Sequence, residues 1–204
     1  MAMRKWFDGY VGLVLCIVSL ALVACGGKPV SPQSAEIPGD RLPKMKEGGS
    51  MVYGFATELN NFDPFSSMTA EARAVNFNIF DGLVNVATDG NFLPAIAESY
   101  AATPDFMSWT FTLRKGIKFH DGKALSKDDV LYSIQKAVDG GVTGYNKIES
   151  FSFDAGGEQL TIRLKGPDAG FIAYLTTPIV QKDAKDLALH PVGTGPFSLK
   201  EYVE

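Results

Sequence analysis

The chain has 204 residues, of which 46% are apolar and 21% are charged, and 19 Lys and Arg residues stand against 23 Asp and Glu residues for a net charge of −4. This composition is typical of a folded protein, and the mildly negative charge gives no indication of the clustered basic surface that nucleic-acid binding requires. Two cysteines, Cys16 and Cys25, belong to no CxxC or Cys/His pattern, so neither a disulfide framework nor a structural zinc site is predicted.

The first 24 residues have the pattern of a secretory signal peptide. Arg4 and Lys5 precede residues 11–24, a stretch without a charged side chain. A helix needs about 20 apolar residues to span a bilayer, so this stretch is too short to cross one and matches the apolar part of a signal peptide instead. We therefore expect an exported protein whose signal peptide covers residues 1–24.

The end of this segment, Leu22-Val23-Ala24-Cys25, resembles the lipobox of bacterial lipoproteins. The resemblance implies that Cys25 receives a diacylglyceryl group and becomes the new N-terminus. Each buried CH₂ of an acyl chain contributes about 0.8 kcal/mol, so several chains on Cys25 would anchor the protein to a membrane at its periplasmic or extracellular face without spanning it. The alternative is that Cys25 is only another small apolar residue at the end of the stretch.

Residues 26–49 are rich in Gly, Pro and Ser and contain no periodic apolar run. This composition predicts a flexible, partly extended tether that keeps the folded part away from the lipid surface. Folded sequence is expected from Ser50 onward.

Three elements are predicted at the start of the folded part. The alternation of large side chains over residues 51–55 favours a strand. Residues 60–64 predict a turn, because Pro64 disfavours a helical conformation at Asp63. Thr69 is a predicted N-cap for a helix that continues to about Phe80.

The middle of the chain adds a second helix and further strands. Ser126 and Asp129 have the spacing of a capping box, and the apolar residues that follow recur at helical spacing until a Gly-Gly pair. The other predicted elements are a strand at 109–114, an Asp-Gly turn at 118–122 and a hairpin formed by 151–155 and 160–165. Helices and strands mix without a βαβ repeat, which predicts an α+β fold for this part of the chain.

No recognised catalytic motif occurs in the sequence. His120 and Asp121 are adjacent, but a metal site needs three or four ligands, and a turn closed by Gly122 explains the pair better. Ser66 and Ser67 come with no recognisable base or oxyanion donor. We therefore expect no enzymatic activity, no cofactor and no metal, with an exported hydrolase that uses Ser66 or His120 as the alternative.

A series of short motifs resembles a known family. In chain order these are Phe62-Asp63-Pro64, Ile79-Phe80-Asp81-Gly82-Leu83-Val84, Pro94–Tyr100, Trp109–Gly122, Leu125–Val130 and Val192-Gly193-Thr194-Gly195-Pro196-Phe197. Each is weak alone, but together and in this order they resemble the extracytoplasmic solute-binding proteins of the dipeptide/oligopeptide/nickel type, which serve ABC importers. The resemblance covers residues 50–204.

The resemblance implies a periplasmic-binding-protein-like α/β fold with two lobes that close over a solute. Members of the family are well over twice this length, so we expect a chain truncated before the second large lobe. Residues 50–69 and 192–204 would belong to lobe one, and residues 70–191 would form a small α+β domain. We also expect residues 70–185 to fold securely and residues 50–55 and 192–204 to be less secure, because the missing lobe would leave their apolar faces uncovered.

The resemblance also implies where a solute would bind. The loop that follows Pro64 matches the segment whose backbone lines the cleft in relatives, the end of the first predicted strand faces the same cleft, and Tyr145 lies where some relatives place an aromatic ring over the ligand. The expected ligand-binding residues are Thr57, Glu58, Phe65, Ser66, Ser67, Met68, Thr69 and Tyr145. The alternative is that these are ordinary loop or surface residues.

The function implied is that of a lipid-anchored binding component of a peptide-type ABC importer. It would capture a small solute, with an oligopeptide or dipeptide favoured, and deliver it to the permease and ATPase subunits. The alternative is a degenerate fragment or a surface lipoprotein that keeps the fold without a role in transport.

Overall fold

The computed structural model describes residues 48–202 except Thr57, Asn60, Ser67 and Met68. The predicted signal peptide, the predicted lipidation site Cys25 and residues 26–47 of the predicted tether lie outside the described residues. Within the described part of the chain, no helix is both long enough and apolar enough to cross a membrane.

The chain divides into two units between residues 52 and 53. Of the first unit, residues 48–52 are described; they form neither helix nor strand, and Met51 and Val52 are exposed. All the regular structure described below belongs to the second unit, which begins at Tyr53.

The second unit contains a four-stranded antiparallel sheet and a small two-stranded ribbon. The ribbon pairs β1 (Val84–Val86) with β2 (Phe92–Pro94). The sheet consists of β3 (Ala97–Ala102), β4 (Ser108–Leu113), β5 (Ile148–Phe153) and β6 (Gln159–Leu164) in the order β3-β4-β6-β5. The predicted strand at 109–114 and the predicted hairpin are therefore confirmed, and the ribbon and β3 are additional strands.

Strand β4 shows why the alternating pattern predicts the sheet. Trp109 and Phe111 point into the core, where they are 5% and 0% exposed, while Thr110 and Thr112 on the opposite face are half-buried. Leu160 and Ile162 of β6 lie opposite Phe111 and Trp109 and are fully buried as well. One face of the sheet is thus apolar and buried and the other is polar, as the period of two requires.

Both predicted helices are present with the predicted caps. Helix α1 spans Ala70–Ile79, and the Thr69 hydroxyl accepts a hydrogen bond from the Ala72 amide at 3.2 Å. Helix α2 spans Lys127–Asp139 and begins with a complete capping box between Ser126 and Asp129. These bonds satisfy amide donors that the first turn of each helix would otherwise leave unpaired.

Two groups of buried apolar side chains stabilise the unit. The main core fills the space between the apolar face of the sheet and α2, which contributes Val130, Ile134 and Ala137. A second cluster lies at the end of α1 and consists of Phe62, Ile79, Phe80, Val180 and Leu187. Two short 3₁₀ helices, Tyr145–Lys147 and Phe171–Thr176, complete the regular structure.

The predicted strand at residues 51–55 is not formed. These residues are exposed, and Val52 is 98% exposed. Alternating apolar side chains stabilise a strand only where a neighbouring strand accepts its hydrogen bonds, and no strand pairs with this segment among the described residues.

Residues 192–202 form no strand, yet they are hydrogen-bonded to the rest of the unit. The amide of Gly195 donates to the carbonyl of Ile79 at 2.9 Å, and the amide of Phe197 donates to the carbonyl of Asn78 at 3.0 Å. A Cβ atom at Gly193 would overlap with the carbonyl oxygen of Ile79. Glycine at this position therefore permits the segment to lie directly on the end of α1.

Candidate functional site

Residues 61–66, which precede α1, form a hydrogen-bonded turn. The amide of Asp63 donates to Oδ1 of Asn61 at 2.9 Å, and the amide of Phe65 donates to Oδ1 of Asp63 at 3.0 Å. The amide of Ser66 donates to the carbonyl of Asp63 at 3.1 Å. Such side-chain-to-backbone bonds are typical of Asn and Asp in turns, and they explain why the predicted turn forms here.

Buried contacts attach this loop to the second cluster. Phe62 is 2% exposed, and its amide donates to the carbonyl of Ala188 at 2.9 Å. The side-chain amide of Asn76 in α1 donates to the carbonyl of Phe62 at 2.9 Å. The position of the loop therefore depends on α1 and on residues near 188, which are far away in sequence.

A groove of about 470 Å³ lies between this loop and the exposed face of α2. We call it the loop groove. Its lining residues are Asp63, Phe65, Ser66, Tyr132, Gln135, Lys136, Asp139 and Gly140. In the loop groove, Phe65 and Ser66 of the predicted binding loop face open space beside α2.

Charged and aromatic groups meet in the loop groove. Lys136 Nζ lies 3.6 Å from Oδ2 of Asp63 and 4.8 Å from the centroid of the Phe65 ring. The side chains of Lys136 and Asp63 are 31% and 27% exposed, so both groups still reach solvent. An aromatic wall with a cation, a carboxylate and the amide of Gln135 suits a ligand that carries both charged and apolar parts.

A smaller hollow of about 110 Å³ is lined by Pro64 of the same loop. Arg73 and Phe77 of α1 form one wall, and the segment Thr176-Thr177-Pro178 forms another. Arg73 and Phe77 are exposed. The loop therefore borders two open spaces, and each is lined by a cationic side chain.

The predicted binding residues in the loop region have different surroundings. Thr57, Ser67 and Met68 lie outside the described residues. Ser66 is exposed, and its hydroxyl donates to the carbonyl of Asp63 at 2.9 Å. Phe65 and Ser66 line the loop groove together, whereas the hydroxyl of Thr69 caps α1.

Glu58 and Tyr145 lie apart from the loop groove. Glu58 is exposed, and its Oε1 accepts a hydrogen bond from the hydroxyl of Tyr202 at 3.4 Å. Tyr145 is 2% exposed in the main core, and burial raises the pKa of its hydroxyl to about 12, although a hydrogen bond with Thr177 opposes this shift. With its ring enclosed by the core, Tyr145 does not present an aromatic face to a solute in this structure.

The adjacent His120 and Asp121 form a turn with structural hydrogen bonds. Nδ1 of His120 accepts from the amide of Gly193 at 3.2 Å, and Nε2 lies 2.8 Å from the carbonyl oxygen of Gly195. Hydrogen bonds from Gln181 and from the Lys123 backbone lower the pKa of Asp121. The amide of Gly122 donates to the carbonyl of Phe119 at 2.9 Å, which closes the turn predicted here.

Sequence reasoning missed the α2 side of the loop groove. Tyr132, Gln135, Lys136 and Asp139 are spaced at i, i+3, i+4 and i+7, which places them on one face of the helix. This face lies beside the apolar one that packs into the core. The helical spacing could have revealed it, but the identity of the element opposite could not be read from the sequence.

Comparisons with known proteins agree on one family. Residues 91–204 match the bacterial extracellular solute-binding proteins of family 5, in their middle region. The glutathione-binding protein GsiB of Salmonella choleraesuis is 27% identical over 164 residues, which cover 74% of this chain and 32% of GsiB. The chain thus spans about a third of the length of the relatives it matches.

Solved structures show the same fold. The binding protein AgaA from A. tumefaciens R10, in complex with agropinic acid, is 29% identical with a TM-score of 0.65, over 72% of this chain and 32% of AgaA. DppA from Helicobacter pylori, in complex with the peptide STSA, is 29% identical with a TM-score of 0.61, over 71% of this chain and 35% of DppA. Both are periplasmic binding proteins, and their similarity shows that this α+β unit has the corresponding part of that fold.

Proposed function

Since the chain belongs to the bacterial extracellular solute-binding proteins of family 5, we propose that it acts as the lipid-anchored binding component of an ABC importer for a peptide-like solute. The observation that carries this proposal is the family match, which covers more than half of the chain. The permease and ATPase subunits of the importer are the proposed protein partners. The proposed activity is capture and delivery, without covalent chemistry.

A peptide-like solute is favoured by the relatives and by the loop groove. GsiB is named for glutathione, and DppA was solved with a peptide. In this chain, Lys136 offers a cation to a carboxylate, Asp63 offers an anion to an ammonium group, and Phe65 offers an apolar surface. A short peptide carries all three kinds of group.

The proposed binding residues are Phe65 and Ser66 with Asp63 and Lys136 in the loop groove. The neighbouring residues expected from the family resemblance, Thr57, Glu58, Ser67, Met68 and Thr69, would extend the site along the loop. The hydrogen bonds of Asp63 hold the backbone at Phe65 and Ser66, so these two residues would lose little conformational freedom when a solute binds.

We further propose the domain organisation that the sequence predicts. Residues 1–24 would be removed as a signal peptide, and Cys25 would carry the lipid at the start of a tether that extends to residue 49. Residues 50–69 and 192–204 would belong to lobe one and residues 70–191 to the small domain. A Cys25→Ser variant should lose the incorporation of labelled palmitate that the unchanged chain shows, and equal labelling of both would contradict the lipid anchor.

Solute binding can be tested by thermal unfolding of the protein with a panel of short peptides and with nickel. A ligand at 100 times its Kd should stabilise the fold by about 2.7 kcal/mol and raise Tm. Lys136→Gln should abolish the shift, whereas Lys127→Gln, on the same helix but outside the loop groove, should keep it. A cooperative transition that no peptide shifts would contradict the proposal for this chain.

A further inference from the structure

Strand β5 leaves one edge of the sheet without a neighbouring strand among the described residues. The amide of Asp154 donates to the carbonyl of Gln159 at 2.9 Å, which marks these opposed residues as a hydrogen-bonded pair. Because such pairs alternate along an antiparallel ladder, Ser152 also bonds towards β6. The main-chain N–H and C=O groups of Phe151 and Phe153 therefore point away from the sheet, towards its open edge.

A groove of about 620 Å³ runs beside this edge. Its lining residues are Asp128, Leu131, Tyr132 and Gln135 of α2, Ser150 and Phe151 of β5, and Lys182. The side chains of Phe151 and Phe153 lie on the apolar face of the sheet, opposite Ile162 and Leu160, and both are half-buried. A strand added to β5 would thus place its own apolar side chains beside α2.

We propose that this edge pairs with the same edge of a second copy of the chain. The two β5 strands would run antiparallel about a two-fold axis at Ser152, so that Phe151 lies opposite the partner's Phe153. Each of these opposed pairs would exchange both main-chain hydrogen bonds, which satisfies the outward groups of Phe151 and Phe153. The two four-stranded sheets would then form one continuous sheet in a closed, isologous dimer.

The side chains are self-complementary in this register. On the apolar face, Phe151 meets the partner's Phe153 beside the groove, and aromatic pairs of this kind stabilise antiparallel strands. On the polar face, Ser152 meets the partner's Ser152, and Ser150 meets the partner's Asp154.

Charge also favours this register. Oδ1 of Asp154 accepts from the amides of Glu158 and Gln159, and in the dimer the partner's Ser150 hydroxyl would donate to the same carboxylate. Within residues 150–154 the charged side chain is that of Asp154, which lies opposite the partner's Ser150, so this part of the register brings no like charges into opposition. A second copy therefore fits the edge in both hydrogen bonding and charge.

The opposite edge of the sheet serves as an internal control. Ser99 in β3 and Ser152 in β5 are both exposed serines on outer strands. The first test is Ser152→Cys in the full chain, exported in cells, with Ser99→Cys as the control. Residues opposed in a non-hydrogen-bonded antiparallel pair have Cα atoms about 4.5 Å apart, which a disulfide can span.

The expected result is a disulfide-linked dimer of Ser152→Cys on a non-reducing gel. Trypsin cleaves after Lys147 and Arg163, so mass spectrometry should find two copies of the peptide 148–163 joined through residue 152. Ser99→Cys should give no linked dimer. Equal dimer yields from the two variants, or a link from residue 152 to a different protein, would overturn the proposal.

A second pair of variants tests the non-covalent dimer. Ser152→Lys places two cations opposite each other on the axis and should weaken dimerisation about fivefold in sedimentation equilibrium, whereas Ser99→Lys should not. Both side chains are exposed, so the thermal unfolding of the monomer should be unchanged in both variants. A protein that stays monomeric at all concentrations, or that forms open-ended oligomers, would overturn the proposal.

Discussion

The main core and the second cluster are assembled in different ways. In the main core, strands pair over most of their length and bury large side chains such as Phe111 and Ile162; β3 with β4 and β5 with β6 are consecutive strands, whereas β4 with β6 is a long-range pair. In the second cluster, single hydrogen bonds join distant segments, as between Phe62 and Ala188. The proposed binding loop depends on the second cluster. The loop side of the proposed site therefore belongs to the part of the unit with the least regular structure, whereas Lys136 comes from α2 in the main core.

The largest expected effect is on the main core. Phe111 is fully buried at the centre of the sheet, so Phe111→Ala should lower the free energy of unfolding by about 3–5 kcal/mol. Urea unfolding followed by circular dichroism measures this loss. Phe106→Ala is the matched control, because Phe106 is 41% exposed and its removal should have little effect on stability. Similar losses for both variants would contradict this account of the core.

A substitution beside the second cluster should affect mainly the segment that carries it. Gly193→Ala would push the segment at 193–197 away from α1 and cost about 1–3 kcal/mol. Hydrogen exchange should show that the amides of Gly195 and Phe197 lose protection, whereas the amides of β4 and β6 keep theirs. Gly166→Ala is the control, since no atom lies within 4 Å of the Cβ position there. Loss of protection throughout the sheet would show that the two regions unfold together.

The different assembly of the main core and the second cluster explains which elements could be predicted from the sequence. The strand with Trp109 and Phe111 and the helix after Ser126 were predicted because their signals are local: a period of two, a helical spacing and a capping box. The alternation at residues 51–55 gave a wrong strand, because formation of a strand depends on a partner that the pattern does not specify.

The candidate site was predicted only in part for the same reason. Phe65 and Ser66, which line the loop groove, were predicted from a motif adjacent to them in sequence, whereas Lys136 joins the groove through contact with Asp63 across 73 positions. The buried position of Tyr145 depends on how the segment with Thr177 folds over it. Contacts between segments so far apart leave no local pattern in a single sequence.

The helix caps allow a closer comparison of the two regions. Ser126 begins α2 in the main core, and Thr69 begins α1 beside the second cluster. Each substitution by Ala should cost about 1 kcal/mol, since each removes one cap. Ser126→Ala should cost more than Thr69→Ala, because the Ser126 hydroxyl also donates to Oδ2 of Asp129 at 2.6 Å. Thermal unfolding of both variants checks this order, and a larger loss for Thr69→Ala would reverse it.

The smallest expected effect is a pH dependence that differs between the regions. A hydrogen bond from Lys147 Nζ at 2.6 Å lowers the pKa of Asp168 beside the main core, and Gln181 lowers the pKa of Asp121 near the second cluster. A carboxyl group whose pKa is lower in the folded state stabilises the protein above the unfolded-state pKa, and this stabilisation is lost as the pH falls through the folded-state pKa. Stability should therefore decline below about pH 4.

Replacing either carboxylate with an amide should make this decline shallower. Asp168→Asn removes the charge that pairs with Lys147, and Asp121→Asn replaces the titrating acceptor of Gln181 with a neutral carbonyl oxygen. Urea midpoints measured between neutral and acidic pH provide the test. If the two regions unfold as one, both variants should flatten the same global transition. If the second cluster opens first, Asp121→Asn should change only the exchange of amides near 193–197, and Asp168→Asn should change the global transition.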